Sequence, residues 1–252
     1  MRLGPGWRGA ALLICVLLGC AAARGEEAPV KNLLPGVIGE DDREIAAADS
    51  RFDAVGRLNV GGRSFCTATL IAPDMAVTAA HCLYWPATGE PVPPDKLHFL
   101  PGYRKGAFRA HLRVAAIELH PLAEARPHPA FDVAVLRLSE PAPVDLSPLP
   151  VAAEDPGYPP LQVLSYARDR GELPSHERGC RRMAFGAQTA PQPLVSSCDA
   201  NFGASGAPVL VEAQDGGLVV VGVISGVLET KDKTFTVAAP LWIAGAHLDF
   251  GH

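Results

Sequence analysis

Three short stretches of this 252-residue chain carry side chains that could together break a covalent bond. Thr78-Ala79-Ala80-His81-Cys82 holds an imidazole, Phe131-Asp132-Val133-Ala134-Val135-Leu136 a carboxylate at the head of an apolar run, and Gly203-Ala204-Ser205-Gly206-Ala207-Pro208 a hydroxyl between glycines. An alcohol is a poor nucleophile at neutral pH, so Ser205 needs a base to take its proton, and an imidazole serves because its pKa lies near working pH. The imidazole needs a carboxylate to fix its tautomer and to stabilise its cation. Asp132 suits that task, since a carboxylate leading into an apolar strand is costly to bury without a partner. Taken singly, each stretch has a simpler reading: His81 as a structural histidine, Asp132 as a strand-edge residue capping a turn, the glycine-flanked serine as an ordinary tight turn. Their joint occurrence carries the inference. His98, His111, His120, His128 and His176 have no comparable setting and read as surface or loop residues.

The three candidates lie far apart in the chain, so a fold must gather them. Around them run short apolar, β-branched stretches separated by turn clusters, the pattern of an all-β protein. Val55 to Val60, Ser64 to Ile71 and Met75 to Thr78 read as strands, with Gly61-Gly62 as a hairpin connection; Leu97 to Leu100, Phe108 to Glu118 and Val133 to Leu138 complete a six-stranded barrel over 37–140. A proline-rich passage over 141–160 breaks the rhythm and reads as a semi-rigid linker. A second set follows over 161–252: Leu161 to Ala167, Cys180 to Phe185, Pro193 to Ser197, Pro208 to Glu212, Leu218 to Ser225 and Thr234 to Ala239. Leu241 to Leu248 could close the chain as a short helix.

With these segments on the page, the chain resembles the chymotrypsin-like serine protease superfamily, whose triad runs in the order His, Asp, Ser. Position 207 is Ala, so the Gly-x-Ser-x-Gly elbow of α/β-hydrolases is absent. Val37-Ile38-Gly39-Glu40-Asp41-Asp42-Arg43 and Cys66-Thr67-Ala68-Thr69-Leu70-Ile71 look most like the bacterial glutamyl-endopeptidase (V8-like) branch. The resemblance implies two six-stranded antiparallel Greek-key barrels with the active site between them, and His81, Asp132 and Ser205 as the triad. It further implies an oxyanion hole from the Gly203 and Ser205 N–H groups, Ser225 as a support for Asp132, and a Cys66–Cys82 bridge beside the histidine, which leaves Cys180 with Cys198. Departures matter too. Ala204 stands where trypsin-like zymogens carry the aspartate that pairs with a freed N-terminus, so maturation, for instance by a cut before Val37, must work otherwise. Ile224 and Ala200 replace a histidine and a threonine that glutamate selectivity relies on, while Asp199 has the offset of trypsin's pocket carboxylate. Asp199 therefore reads either as a Lys/Arg-selecting group or as a loop cap beside Cys198.

Composition sets the compartment and the partners. Arg2 and Arg8 precede the apolar run Ala10 to Cys20, with Ala21-Ala22-Ala23 as a small-residue cleavage site, so 1–23 reads as a signal peptide and 24–36 as a pro-segment or leader arm. No later stretch is long and apolar enough for a membrane span. Leu17-Leu18-Gly19-Cys20 partly resembles a lipoprotein box, which would make Cys20 a lipid anchor. The protein is expected to be exported, periplasmic or secreted, with the lipoprotein form as the alternative. A formal charge of −5 without a Lys/Arg cluster argues against nucleic acid. The absence of C-x-x-C and HExxH argues against zinc, and no cofactor is expected. A monomeric endopeptidase acting on protein or peptide substrates is the reading; a catalytically silent binding or regulatory protein, or a hydrolase of small esters, are its rivals.

Overall fold

The structure, a computed structural model, describes residues 36–123, 128–184, 191–245 and 247–250. The signal segment with Cys15 and Cys20, the leader arm up to residue 35, and Phe185 lie outside the described residues. In chain order the strands are β1 (Glu44–Ile45), β2 (Val55–Val60), β3 (Ser64–Ala72), β4 (Met75–Thr78), β5 (Leu97–Pro101), β6 (Leu112–Leu119) and β7 (Ala134–Leu138). They continue with β8 (Leu161–Ser165), β9 (Ser175–Cys180), β10 (Leu194–Ser196), β11 (Pro208–Glu212), β12 (Leu218–Glu229) and β13 (Thr234–Pro240), and α1 (Leu241–Ala244) follows β13 directly.

The protein is all-β, as its pattern of short β-branched runs requires. Strands β2-β3-β4-β7-β6-β5 close into a six-stranded antiparallel barrel, β5 pairing back onto β2. Leu58, Leu70, Leu97, Phe99 and Leu136 fill it, each essentially without solvent contact. Burying one such leucine is worth about 2 kcal/mol over leaving it in water, so a one-residue slip that turned these faces outward is strongly disfavoured.

The second sheet differs from the expected six-stranded barrel. It has seven strands in the order β1-β9-β8-β11-β12-β13-β10, because the two-residue β1, too short to show a pattern, adds to the edge at β9. Past β9 the chain runs beside β10: Ser197 N–H donates to Arg181 O at 3.0 Å and Met183 N–H to Val195 O at 2.8 Å. The strand expected at Cys180 to Phe185 instead lies at Ser175–Cys180. Its sequence, Ser-His-Glu-Arg-Gly-Cys, is polar, yet Ser175, His176 and Glu177 are buried, so apolar alternation gives no sign of it. His176 is thus a buried strand residue, contrary to its reading as a surface or loop residue, and His120 lies in the loop after β6 but buried against the Phe131 ring. The proline-rich passage is hydrogen-bonded to both sheets: Leu149 N–H donates to Leu70 O at 2.9 Å and Ala152 N–H to Val220 O at 2.9 Å. Among the described residues no helix is long and apolar enough to cross a membrane.

Candidate active site

Register brings the first two chemical groups together. Antiparallel β4 and β7 pair up to Thr78 opposite Ala134, so the residues just after β4 and just before β7 emerge at one end of the barrel. His81 follows β4 in a single turn of 3₁₀ helix, Ala80–Leu83, and Asp132 precedes β7 in a three-residue turn closed by Val133 N–H to Phe131 O at 2.8 Å. Asp132 is buried, and it accepts the His81 backbone N–H on Oδ1 at 2.9 Å while Oδ2 lies 2.6 Å from His81 Nδ1. An ionised carboxylate only accepts, so the neutral imidazole carries its proton on Nδ1 and leaves Nε2 free to act as a base. Ser225 Oγ donates to the same Oδ2 at 2.6 Å. Ser225 is the extra residue where the β12–β13 register shifts between Ile224 and Gly226, and such a bulge re-aims a side chain that regular pleating would point elsewhere.

The third group sits on the loop entering β11. Ser205 O accepts the Thr67 N–H of β3 at 2.8 Å, and Gly206 N–H donates to Ile224 O at 2.8 Å, so the loop is tied to both sheets. Gly206 has φ of 82°, and a Cβ there would collide with Thr67 O and Thr78 Oγ1, which leaves glycine as the residue that fits against the strand leading to His81. Among the described residues Ser205 Oγ makes no hydrogen bond, and His81 Nε2 lies 3.9 Å from Cys82 Sγ. Ala204 N–H is bonded to Asn201 O, whereas the Gly203 and Ser205 N–H groups on either side of it have no acceptor among the described residues. Two unpaired donors two residues apart, with Gly203 at φ of 96°, are the groups that a negatively charged oxygen would need.

Thr67 is a site residue that the sequence reading passed over. Its Oγ1 donates to Gly203 O at 3.1 Å and accepts the Tyr166 N–H at 3.0 Å, while its carbonyl accepts Thr78 Oγ1 at 2.8 Å. One strand position thus touches the Ser205 loop, the strand before His81 and the residue after β8. Thr67 is fully buried, and nothing in its sequence setting within β3 marks it out. Both bridges, Cys66–Cys82 and Cys180–Cys198, are formed, so none of these four sulfurs is available as a metal-binding thiolate.

The residues singled out for a substrate pocket are buried and engaged. Asp199 Oδ1 accepts Ile38 N–H at 2.7 Å and Oδ2 accepts Asp42 N–H at 3.1 Å; Ala200 N–H donates to Gly36 O at 2.7 Å; Ile224 is packed inside the second sheet. The Asp199 N–H donates to Glu177 Oε2 at 2.5 Å. Burial pushes the Asp199 carboxyl above its ordinary range and lifts Glu177 to about 7.

Comparison with known proteins agrees with this geometry. The Trypsin family profile matches residues 43–244. A thermostable serine protease, AL20, from an extremophilic microorganism superposes with a TM-score of 0.63 at 16% identity, covering 79% of this chain and 95% of that one. A Glu endopeptidase superposes with a TM-score of 0.65 at 18% identity, covering 82% of this chain and 95% of its own. No curated protein matches the sequence. Two antiparallel sheets that share the fold of these proteases, under a family match spanning most of the chain, place it in the trypsin family of chymotrypsin-like serine proteases.

Proposed function

We propose that this chain is an exported endopeptidase in which Ser205 is the nucleophile, His81 the general base and acid, and Asp132 the orienting carboxylate. In the acylation step Ser205 Oγ attacks the peptide carbonyl carbon and its proton passes to His81 Nε2. The carbonyl oxygen becomes an oxyanion facing the Gly203 and Ser205 N–H groups, whose placement ahead of the reaction is worth about 3–4 kcal/mol per donor in the transition state. His81 then protonates the leaving amine, an acyl-enzyme remains on Ser205, and water activated by the same imidazole releases it. Such hydrogen bonds tighten in the substrate complex, so a free Ser205 hydroxyl in the resting site is compatible with this role. The observation that carries the reading is the Ser225–Asp132–His81 hydrogen-bonded chain, which fixes the His81 tautomer on the face of the barrel where the Ser205 loop docks.

The signal-type N-terminus and the two disulfides support export to an oxidising compartment. The likeness to a Glu endopeptidase supports the V8-like branch, but Ile224 and Ala200 offer no polar group to a glutamate side chain. A Lys/Arg preference through Asp199 would require its carboxylate to part from the Ile38 and Asp42 amides; a peptide-library digest of Asp199→Ser tests it. For the reaction itself, a fluorophosphonate probe should label the wild type and leave Ser205→Ala unlabelled. A folded wild type that the probe does not label would favour the silent binding protein, and turnover of acetate esters without cutting any library peptide would favour the esterase. Mass spectrometry of the mature N-terminus reports both a cut before Val37 and acylation at Cys20.

A further inference from the structure

A cavity of about 660 Å³ opens beside the candidate site. Arg63 and Ser64 at the β2–β3 hairpin, Trp85 and Glu90 in the loop after His81, Lys96 ahead of β5 and Arg168 after β8 line it. Two links fix where it lies. Ser64 and Trp85 flank the Cys66–Cys82 disulfide, whose Cys82 sulfur is 3.9 Å from His81 Nε2. On the other wall, the Arg168 N–H donates to Phe202 O at 2.5 Å, and a Cβ on Gly203 would stand 3.1 Å from Arg168 N. The cavity is therefore lined by residues two or three positions from the disulfide cysteines and by Arg168, whose backbone is bonded to Phe202.

Resting on the proteolytic reading, the direction of a bound peptide follows from proton delivery. His81 must hand its proton from Nε2 to the leaving amine, and Nε2 lies 3.9 Å from the Cys82 sulfur, so the segment that carries the new amine starts beside the Cys66–Cys82 bridge. Ser64 and Trp85 of the cavity lining stand two and three positions from that bridge. The cavity's charge is unbalanced: among the described residues neither Arg63 nor Arg168 has an acidic partner, and the Arg168 guanidinium rests 5.7 Å from the centroid of the exposed Phe202 ring. Lys96 is paired with Asp95 at 3.1 Å, and Glu90 is the one carboxylate in the lining. Guanidinium groups bind carboxylates through paired, directed hydrogen bonds, and Trp85 offers an apolar face for the stem of the bound side chain. We infer that this cavity is a specificity subsite for an acidic side chain, Asp or Glu, within the first few residues after the scissile bond.

The test uses pairs of peptides that share every residue before a bond the enzyme cuts and differ by Asp or Lys at the first, second or third position after it. The ratio of kcat/KM within a pair is read on one enzyme preparation, so partial loss of folded protein cancels. In the wild type the Asp peptide should be favoured by about fivefold at one position, the size expected for a solvent-reached ion pair. The preference should shrink as salt rises and should reverse in the double variant Arg63→Glu, Arg168→Glu. Equal rates at all three positions, or a preference that survives both charge reversals, would overturn the subsite alone. Failure of the wild type to cut any peptide would overturn it together with the proteolytic reading.

Discussion

Asp132 gathers three donors on two oxygens, the His81 N–H, His81 Nδ1 and the Ser225 hydroxyl, and each constrains the ring that the proposed mechanism turns toward Ser205. Removing one donor from a buried charge costs about 1.5–3 kcal/mol when nothing replaces it. Ser225→Ala should therefore lower kcat by about tenfold while leaving KM close to the wild-type value, because Ser225 acts on the position of the base and not on ground-state binding. Steady-state kinetics on a peptide found in the library digest reads the split; a rise in KM with kcat unchanged would instead place Ser225 in substrate binding. That His81, Asp132 and Ser225 come together was legible. His81, Asp132 and Ser205 stand in runs whose composition is odd without a chemical reason, and Ser225 follows from the resemblance. Thr67 was not legible, because a threonine in a β-branched strand is the commonest of residues there and its contacts with Gly203 and Tyr166 are made across the whole chain.

Strand β9 shows what patterning cannot reach. Ser175, His176 and Glu177 are buried in succession, on both faces of the strand, and a polar run without apolar alternation looks like a loop until its partners are known. Burial holds His176 down to about 4, and its Nε2 lies 2.9 Å from Gln162 Oε1 on the neighbouring strand. Burial lifts its neighbour Glu177 to about 7. The two pull stability in opposite directions over the same range. From the ordinary carboxyl value of 4.5 up to about 7, the folded chain holds a proton on Glu177 that the unfolded chain has released, so stability falls as pH rises. From the ordinary imidazole value of 6.5 down to about 4, the unfolded chain binds a proton that buried His176 refuses, so stability falls as pH drops. In the wild type these slopes largely cancel. Glu177→Gln keeps an acceptor for the Asp199 N–H and removes one slope, so its melting temperature should rise with pH across this window and exceed the wild type's most above pH 7, by about 1–2 kcal/mol in stability. Parallel melting curves of the two proteins from acid to neutral pH would refute the assignment.

Across the molecule the two sheets meet at the Ser205 loop, and the first described residues of the chain strap the second sheet from outside. The segment from Gly36 to Arg43 crosses the residues that precede Ser205: Gly36 O receives the Ala200 N–H, and Ile38 and Asp42 give their N–H groups to Asp199. Arg43, itself buried, bonds Asp41 and Asp169, and Asp169 accepts from Asn201. The offset of Asp199 from Ser205 suggested a carboxylate waiting for a substrate cation, and only the three-dimensional path of residues 36–43 shows amides already there. A carboxylate binding two amides holds the strap without a free amino terminus, which suits a chain with Ala204 where zymogens of the family keep an aspartate. Asp199→Ala should release both amides. Because Asp42 is exposed and Ile38 only half-buried, water replaces much of what is lost, and global stability should fall by only about 1–2 kcal/mol. The larger effect is local: hydrogen exchange over residues 38–43 should approach that of an open loop, and fluorophosphonate labelling should slow as the 199–203 stretch loosens, while exchange in the β2–β7 barrel stays as in the wild type. If the strap keeps its protection in Asp199→Ala, its hold comes from Arg43 and β1, and slower labelling would then have to arise inside the pocket itself.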